Sequence, residues 1–254
     1  METILRRERL IVGGCLAAMV VLAWLYLLHT KMTMPDMAMP GMVMVDLHEW
    51  GAADVFLLFV MWAVMMVAMM VPSAAPMILS FVTVNQRRQA AARPFAPVSI
   101  FILGYLAVWT AFSALATLAE WGLHQAALLS TTMTATSPAL NGGLLIAAGV
   151  FQWTPLKRTC LTGCRSPLSF LMSEWRDGTA GAFLMGLRHG AFCAGCCWFL
   201  MALLFVAGVM NLLWVAVIAL FVLAEKILPK GELLARVAGV ALVIAGAAMI
   251  AHLF

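Results

Sequence analysis

Charge is what this sequence has least of. Asp, Glu, Lys and Arg make up 10% of its 254 residues, against 65% hydrophobic. With a mean hydropathy of +1.03, that scarcity excludes an ordinary soluble domain, which could not hide so much apolar surface. A stretch long enough for a separate soluble domain is missing too. Each spanning helix takes about 20 apolar residues, so the length leaves room for six or seven spans and little else. There is no P-loop and no DKTG stretch, which leaves an ATP-driven pump without its parts. The net charge of +4 is small and follows topology, and no nucleic-acid partner is expected.

Seven apolar segments can be drawn, at roughly 10–29, 52–81, 97–119, 138–156, 190–209, 211–226 and 233–252. The first follows Arg6, Arg7 and Arg9 like a signal peptide, yet it is too long for one and no small-x-small cleavage site follows. It reads as a retained anchor. Basic residues are nearly absent from every second connection, where Lys31 stands alone. They collect instead at Arg6, Arg7 and Arg9, at Arg87, Arg88 and Arg93, at Lys157, Arg158, Arg165 and Arg176, and at Lys226, Lys230 and Arg236. The positive-inside rule then puts the N-terminus in the cytoplasm and the C-terminus outside. The expected fold is an all-α polytopic transmembrane bundle of about seven spans, a single membrane domain over 1–254, in a bacterial inner membrane.

Within that frame several local features stand out. Pro72 and Pro76 predict a kink or break in the second segment. TAGAFLMGLRHG, ending at Gly190, predicts a short interfacial helix before the fifth span, so that 157–190 forms a cytoplasmic connection. Ala238, Ala241, Ala245 and Ala248, with Gly239 and Gly246, give the last segment a small face suited to close packing in lipid. Glu225 and Lys226 are expected at the interface or paired with nearby charges, and His124, with Glu120, in an outer loop.

What the chain does have is sulfur: 20 Met and 6 Cys. The stretch 31–50, expected on the periplasmic side, carries Met32, Met34, Met37, Met39, Met42 and Met44, followed by His48. Thioethers bind soft Cu(I) in preference to hard cations, and six of them in a loop with Pro35, Pro40 and Gly41 serve no obvious packing role. The competing reading is a loop that dips into the bilayer. Met61, Met65 and Met69 follow at i+4 steps in the second segment, with Met66 and Met70 beside them. Such a stripe suits passage of a soft ion, and it suits ordinary core packing equally well.

On the opposite, reducing side lie CLTGC, with Cys160 and Cys164, and RHGAFCAGCCW, with His189, Cys193, Cys196 and Cys197. At 100° per residue the last four fall on one helix face. Cytosolic cysteines are kept reduced and are more often metal-binding or catalytic than disulfide-bonded. Arg158, Arg165 and Arg188 are expected to favour the thiolate. Thiolates with a histidine suit Cu(I), or alternatively Zn(II). Cys15, alone in the first segment, reads as packing.

The stretches MMVAMMVPSAAPM, FQWTPLKRTCLTGCRSP, GLRHGAFCAGCCW and GVMNLLWVAVIALFVLAEK resemble a bacterial family of predicted metal-binding integral membrane proteins of unknown function. The resemblance runs from about Trp50 to Pro229 and implies a metal without naming it. Its cysteines correspond here to Cys160, Cys164, Cys193, Cys196 and Cys197, with His189 beside them. The Met-rich stretch is not part of that pattern and is separate support for copper.

The expectation is therefore a non-enzymatic protein that captures, transports or delivers Cu(I). Its partners would be the bilayer and a membrane or periplasmic copper protein, and it could stand as a homo-oligomer or in a larger complex. Two other readings remain: an assembly or structural subunit of a membrane copper enzyme, and a thiol–disulfide electron carrier. The outer face carries no cysteine to serve the second of these.

Overall fold

The computed structural model describes residues 2–33, 50–91, 94, 96–130 and 134–251. They form an all-α chain: α1 Glu2–Thr33, α2 Ala52–Ala90, α3 Val98–Gln125, α4 Pro138–Phe151, α5 Pro155–Arg165, α6 Pro167–Glu174, α7 Gly178–Ala202, α8 Leu204–Ala207, α9 Leu212–Ile227 and α10 Gly231–Ala251. Five stretches are long and apolar enough to cross a membrane: Arg7–Met32, Ala52–Ala90, Val98–Gln125, Gly178–Ala207 and Gly231–Ala251. That is the pattern of a multi-pass membrane protein.

Among the described residues, five of the expected seven spans are long enough to cross by length and composition alone. The fourth and sixth segments become α4 and α9, of 14 and 16 residues, short of the ~20 a spanning helix takes. Their directions still alternate with the rest. Gln86 bonds Glu8 while Gly13 approaches Leu79, so α1 and α2 are antiparallel. Met70 bonds Tyr105 while Trp62 bonds Glu120, so α2 and α3 are antiparallel as well. Gly142 meets Gly246 and Gly149 meets Gly239, which sets α4 against α10. Glu225, at the end of α9, returns to Lys157 on α5.

By contrast α3 and α7 run parallel. A Cβ on Gly104 would stand 2.2 Å from the Phe183 oxygen, one on Gly186 2.0 Å from the Phe101 oxygen, and one on Gly190 2.9 Å from Val108 Cγ2. Glycines at these points let the two backbones touch, as small residues do between helices in lipid. Gly190 was expected to mark the start of a span. It lies instead inside one continuous helix, because its missing side chain serves the crossing with α3. α7 itself begins at Gly178.

Three further expectations are revised. Of the expected kink or break at Pro72 and Pro76, the break is absent: α2 is one helix through both. In α10 the contact is made by Ala235, Gly239 and Gly246, all buried, while Ala241, Ala245 and Ala248 lie exposed. Glu120 and His124 belong to α3 and are buried, not part of an outer loop.

Candidate metal centre

α5 is short because its sequence fences it. The Thr154 hydroxyl caps it by accepting from the Lys157 N–H, Pro155 sits in its first turn, and Pro167 opens the next helix beyond Ser166. Within it Lys157, Cys160, Leu161 and Cys164 are buried and Arg158 is exposed. This one-sided burial puts both thiols, at i and i+4, on the face turned to α7. Lys157 holds the helix down: its Nζ donates to Glu225 Oε1 at 2.7 Å and Oε2 at 3.0 Å, and to Gln152. A buried ion pair satisfied by a third group in this way avoids leaving a bare charge in the bundle.

On α7 the face read from helical phase is the buried one. His189, Cys193, Cys196 and Cys197 are all buried. The two thiol helices meet closely: Cys160 Sγ lies where a Cβ on Gly195 would be only 2.8 Å away, and Phe192 packs over Gly163. Cys164 stands close enough to Cys193 and Cys196 for the three thiols to interact. The Cys196 and Cys197 Sγ atoms also donate to the Cys193 carbonyl, at 3.1 and 3.0 Å. All six cysteines are free thiols, with Cys15 exposed on α1, away from the group.

Met70 of the α2 stripe completes this group, together with Lys226 and Tyr105, to which the sequence reading gave no place in it. Lys226 Nζ donates to Cys193 Sγ at 2.9 Å and to Ser73 Oγ at 3.0 Å. The Tyr105 hydroxyl lies 3.2 Å from the same sulfur and donates to the Met70 carbonyl at 3.0 Å. Met70 Sδ lies 4.0 Å from Cys197 Sγ. Thioether and thiol therefore meet at this point, and they do so through Met70 of the neighbouring pair. Met61, Met65 and Met69 are buried along α2.

The cation beside the thiols is thus a lysine, and the arginines point elsewhere. Arg165 donates to the carbonyls of Leu228 and Pro229, Arg188 pairs with Glu174, and Arg158 is exposed. The expectation that these arginines favour thiolates fails for α5. The interaction of its thiol, as donor, with Cys193 and Cys196, together with burial, holds Cys164 well above the usual thiol range, and burial raises Cys160.

His189 is enclosed by Tyr105, Phe101 and Phe170, with ring centroids 5.6, 6.2 and 5.7 Å away. Its Nδ1 is buried with no hydrogen-bond partner among the described residues, an open donor atom one turn before Cys193. The donor set is soft sulfur with one imidazole, which fits Cu(I). Among the described residues no three His, Cys, Asp or Glu side chains form a ready metal-holding group. A closed four-ligand zinc site is thus not preformed, and the thiols stand as a hydrogen-bonded set.

Of the Met-rich stretch, Met32 lies in the last turn of α1 at 77% exposure. Met34, Met37, Met39, Met42, Met44 and His48 lie outside the described residues.

No curated protein and no solved structure matches the chain. Residues 59–249 match a family model described as a copper chaperone, named PpoB2. That range holds every thiol and methionine of the group and leaves the Met-rich stretch outside it. It also gives the metal that the sequence resemblance implied without naming. With three quarters of its length matched, from the α2 methionines to the end of α10, the chain belongs to the PpoB2 copper chaperone family.

Proposed function

We propose that the chain holds Cu(I) as cargo at the junction of α2, α5, α7 and α9, with Cys160, Cys164, Cys193, Cys196, Cys197 and His189 as donors. The observation that carries this reading is the contact between Met70 Sδ and Cys197 Sγ. It joins the thioethers of α2 to the thiols without an intervening apolar layer. Cu(I) bound by two thiolates carries net negative charge, and Lys226 supplies the compensating cation beside Cys193.

Met61, Met65 and Met69 widen the sulfur-lined side of α2. Met32, Met34, Met37, Met39, Met42, Met44 and His48 capture the ion from the periplasm. The charge asymmetry supports a cytoplasmic N-terminus in a bacterial inner membrane and the thiols nearer the cytoplasmic face. The partner is a membrane or periplasmic copper protein that takes or supplies the ion by ligand exchange. The test is the copper content of the purified full-length protein, wild type against Cys193→Ser with Cys196→Ser. Loss of the tightly held, thiol-bound Cu(I) in the double variant is expected, and equal retention in both would overturn the thiol site.

A further inference from the structure

Thioethers are neutral, so a column of methionines cannot balance the charge of a monovalent cation entering an apolar bundle. At one end the balance falls to the cysteines. The other end needs an anion of its own, because an uncompensated charge in such surroundings is costly.

Among the described residues two acidic side chains are buried, Glu120 and Glu225. Glu225 is neutralised by Lys157 at 2.7 Å. Glu120 has no basic partner among the described residues. Its Oε2 accepts from Trp62 Nε1 at 2.6 Å, and its Oε1 is buried with no hydrogen-bond partner among the described residues. A carboxylate oxygen left open inside a bundle calls for a ligand.

The surroundings define a track. Trp62, Met66 and Met70 succeed one another at i+4 along α2, all buried. Tyr105, Trp109, Ser113, Thr117 and Glu120 follow at turn spacing along α3, also buried. The bonds Trp62–Glu120 and Tyr105–Met70 bracket the two faces. The Ser113 and Thr117 hydroxyls donate to carbonyls one turn back, which leaves their oxygens free to accept. One turn beyond Glu120, His124 stacks on Trp50 at 4.1 Å, and Trp50 is the residue at which the Met-rich stretch ends.

We propose that Glu120, with the indole of Trp62, is a second cation station at the end of the α2–α3 seam remote from the cysteines, where the cargo ion leaves water. The carboxylate supplies the charge. Trp62 donates its N–H to that carboxylate and packs on Phe205 with ring centroids 5.5 Å apart, which holds the carboxyl group in place. The proposal rests on the copper reading above and deepens it.

The test uses full-length protein in lipid nanodiscs, titrated anaerobically with Cu(I) against a competing chelator. In the Cys193→Ser, Cys196→Ser background a weaker Cu(I) equivalent is expected to remain. Adding Glu120→Gln should raise its Kd at least about tenfold, as loss of a buried charge partner does, and Glu120→Asp should preserve it. Glu120→Gln alone should keep the thiol-bound copper of the wild type. Superimposable isotherms with and without Glu120→Gln would overturn the station while leaving the thiol site standing. Equal copper in the wild type and the cysteine variant would overturn the thiol site instead. Infrared difference spectra of unaltered protein serve independently of any variant: Cu(I) should shift a carboxyl band, and an unchanged carboxyl region would also overturn the proposal.

Discussion

Lys226 Nζ lies 2.9 Å from Cys193 Sγ, inside the bundle and buried on all sides. A lysine held against a thiol in apolar surroundings is a fixed counter-charge, and it gives the sulfur group a polarity that its own atoms lack.

Replacing that lysine should weaken the site while sparing the fold. Lys226→Met keeps the length and the apolar stem and removes the charge. The Kd for Cu(I), measured by chelator competition, should rise about tenfold to a hundredfold, since a hydrogen bond to a charged group is worth about 1.5–3 kcal/mol. An unchanged Kd would show that the ammonium group does not compensate the bound ion.

Met70→Leu separates ligand chemistry from packing. The swap nearly conserves volume, so stability should change by less than about 1.5 kcal/mol. X-ray absorption at the copper edge should lose about one sulfur neighbour if the thioether beside Cys197 takes part. A spectrum identical to that of the wild type would confine Met70 to a packing role.

The Lys157–Glu225 pair should behave as a buried ion pair does. Lys157→Met alone leaves Glu225 and Gln152 without their partner and should cost about 3–5 kcal/mol in a detergent unfolding titration. The double change Lys157→Met with Glu225→Leu should recover most of that loss. No recovery would mean that the pair sets α5 in place in a way that apolar packing cannot replace.

Glycine positions should divide sharply. Gly186→Ala would drive a methyl to 2.0 Å from the Phe101 carbonyl oxygen and should abolish the native melting transition or lower it steeply. Gly122→Ala, with nothing within 4 Å of the added carbon, should be neutral or stabilising by about 0.5–1 kcal/mol. Similar melts for the two variants would contradict the close α3–α7 crossing.

Much of the site was legible in the sequence, because helical phase is a property of spacing alone. His189, Cys193, Cys196 and Cys197 share a buried face as their intervals require, and CLTGC lies against it. The residues that escaped notice share a different trait: their meaning depends on what another helix brings. Lys226 closes an apolar run, where a lysine ordinarily reaches for the interface, and only α7 gives it a sulfur to meet. An ionisable pair within an apolar segment was nonetheless a usable signal. Tyr105 is one of two tyrosines in the chain, and its hydroxyl mid-helix pointed to a partner.

The misread boundaries have physical causes as well. Gly190 resembles a helix end by the habits of soluble proteins, whereas in lipid a glycine is often a contact surface. Pro72 and Pro76 suggested a break, yet α2 continues through them.

The obstacle at Gly104 and Gly186 is main-chain oxygen on the opposing helix, and a peptide carbonyl has no rotamer by which to step aside. The gap between α3 and α7 is therefore a fixed gauge, set by bare backbone. Tyr105 and Cys193 ride on its two rails. Any adjustment to the size of an arriving ion is left to the flanks, the short proline-bounded α5 and the end of α9. The centre is built like a vice with one fixed jaw, and its tolerance is decided by the helices that are least like membrane spans.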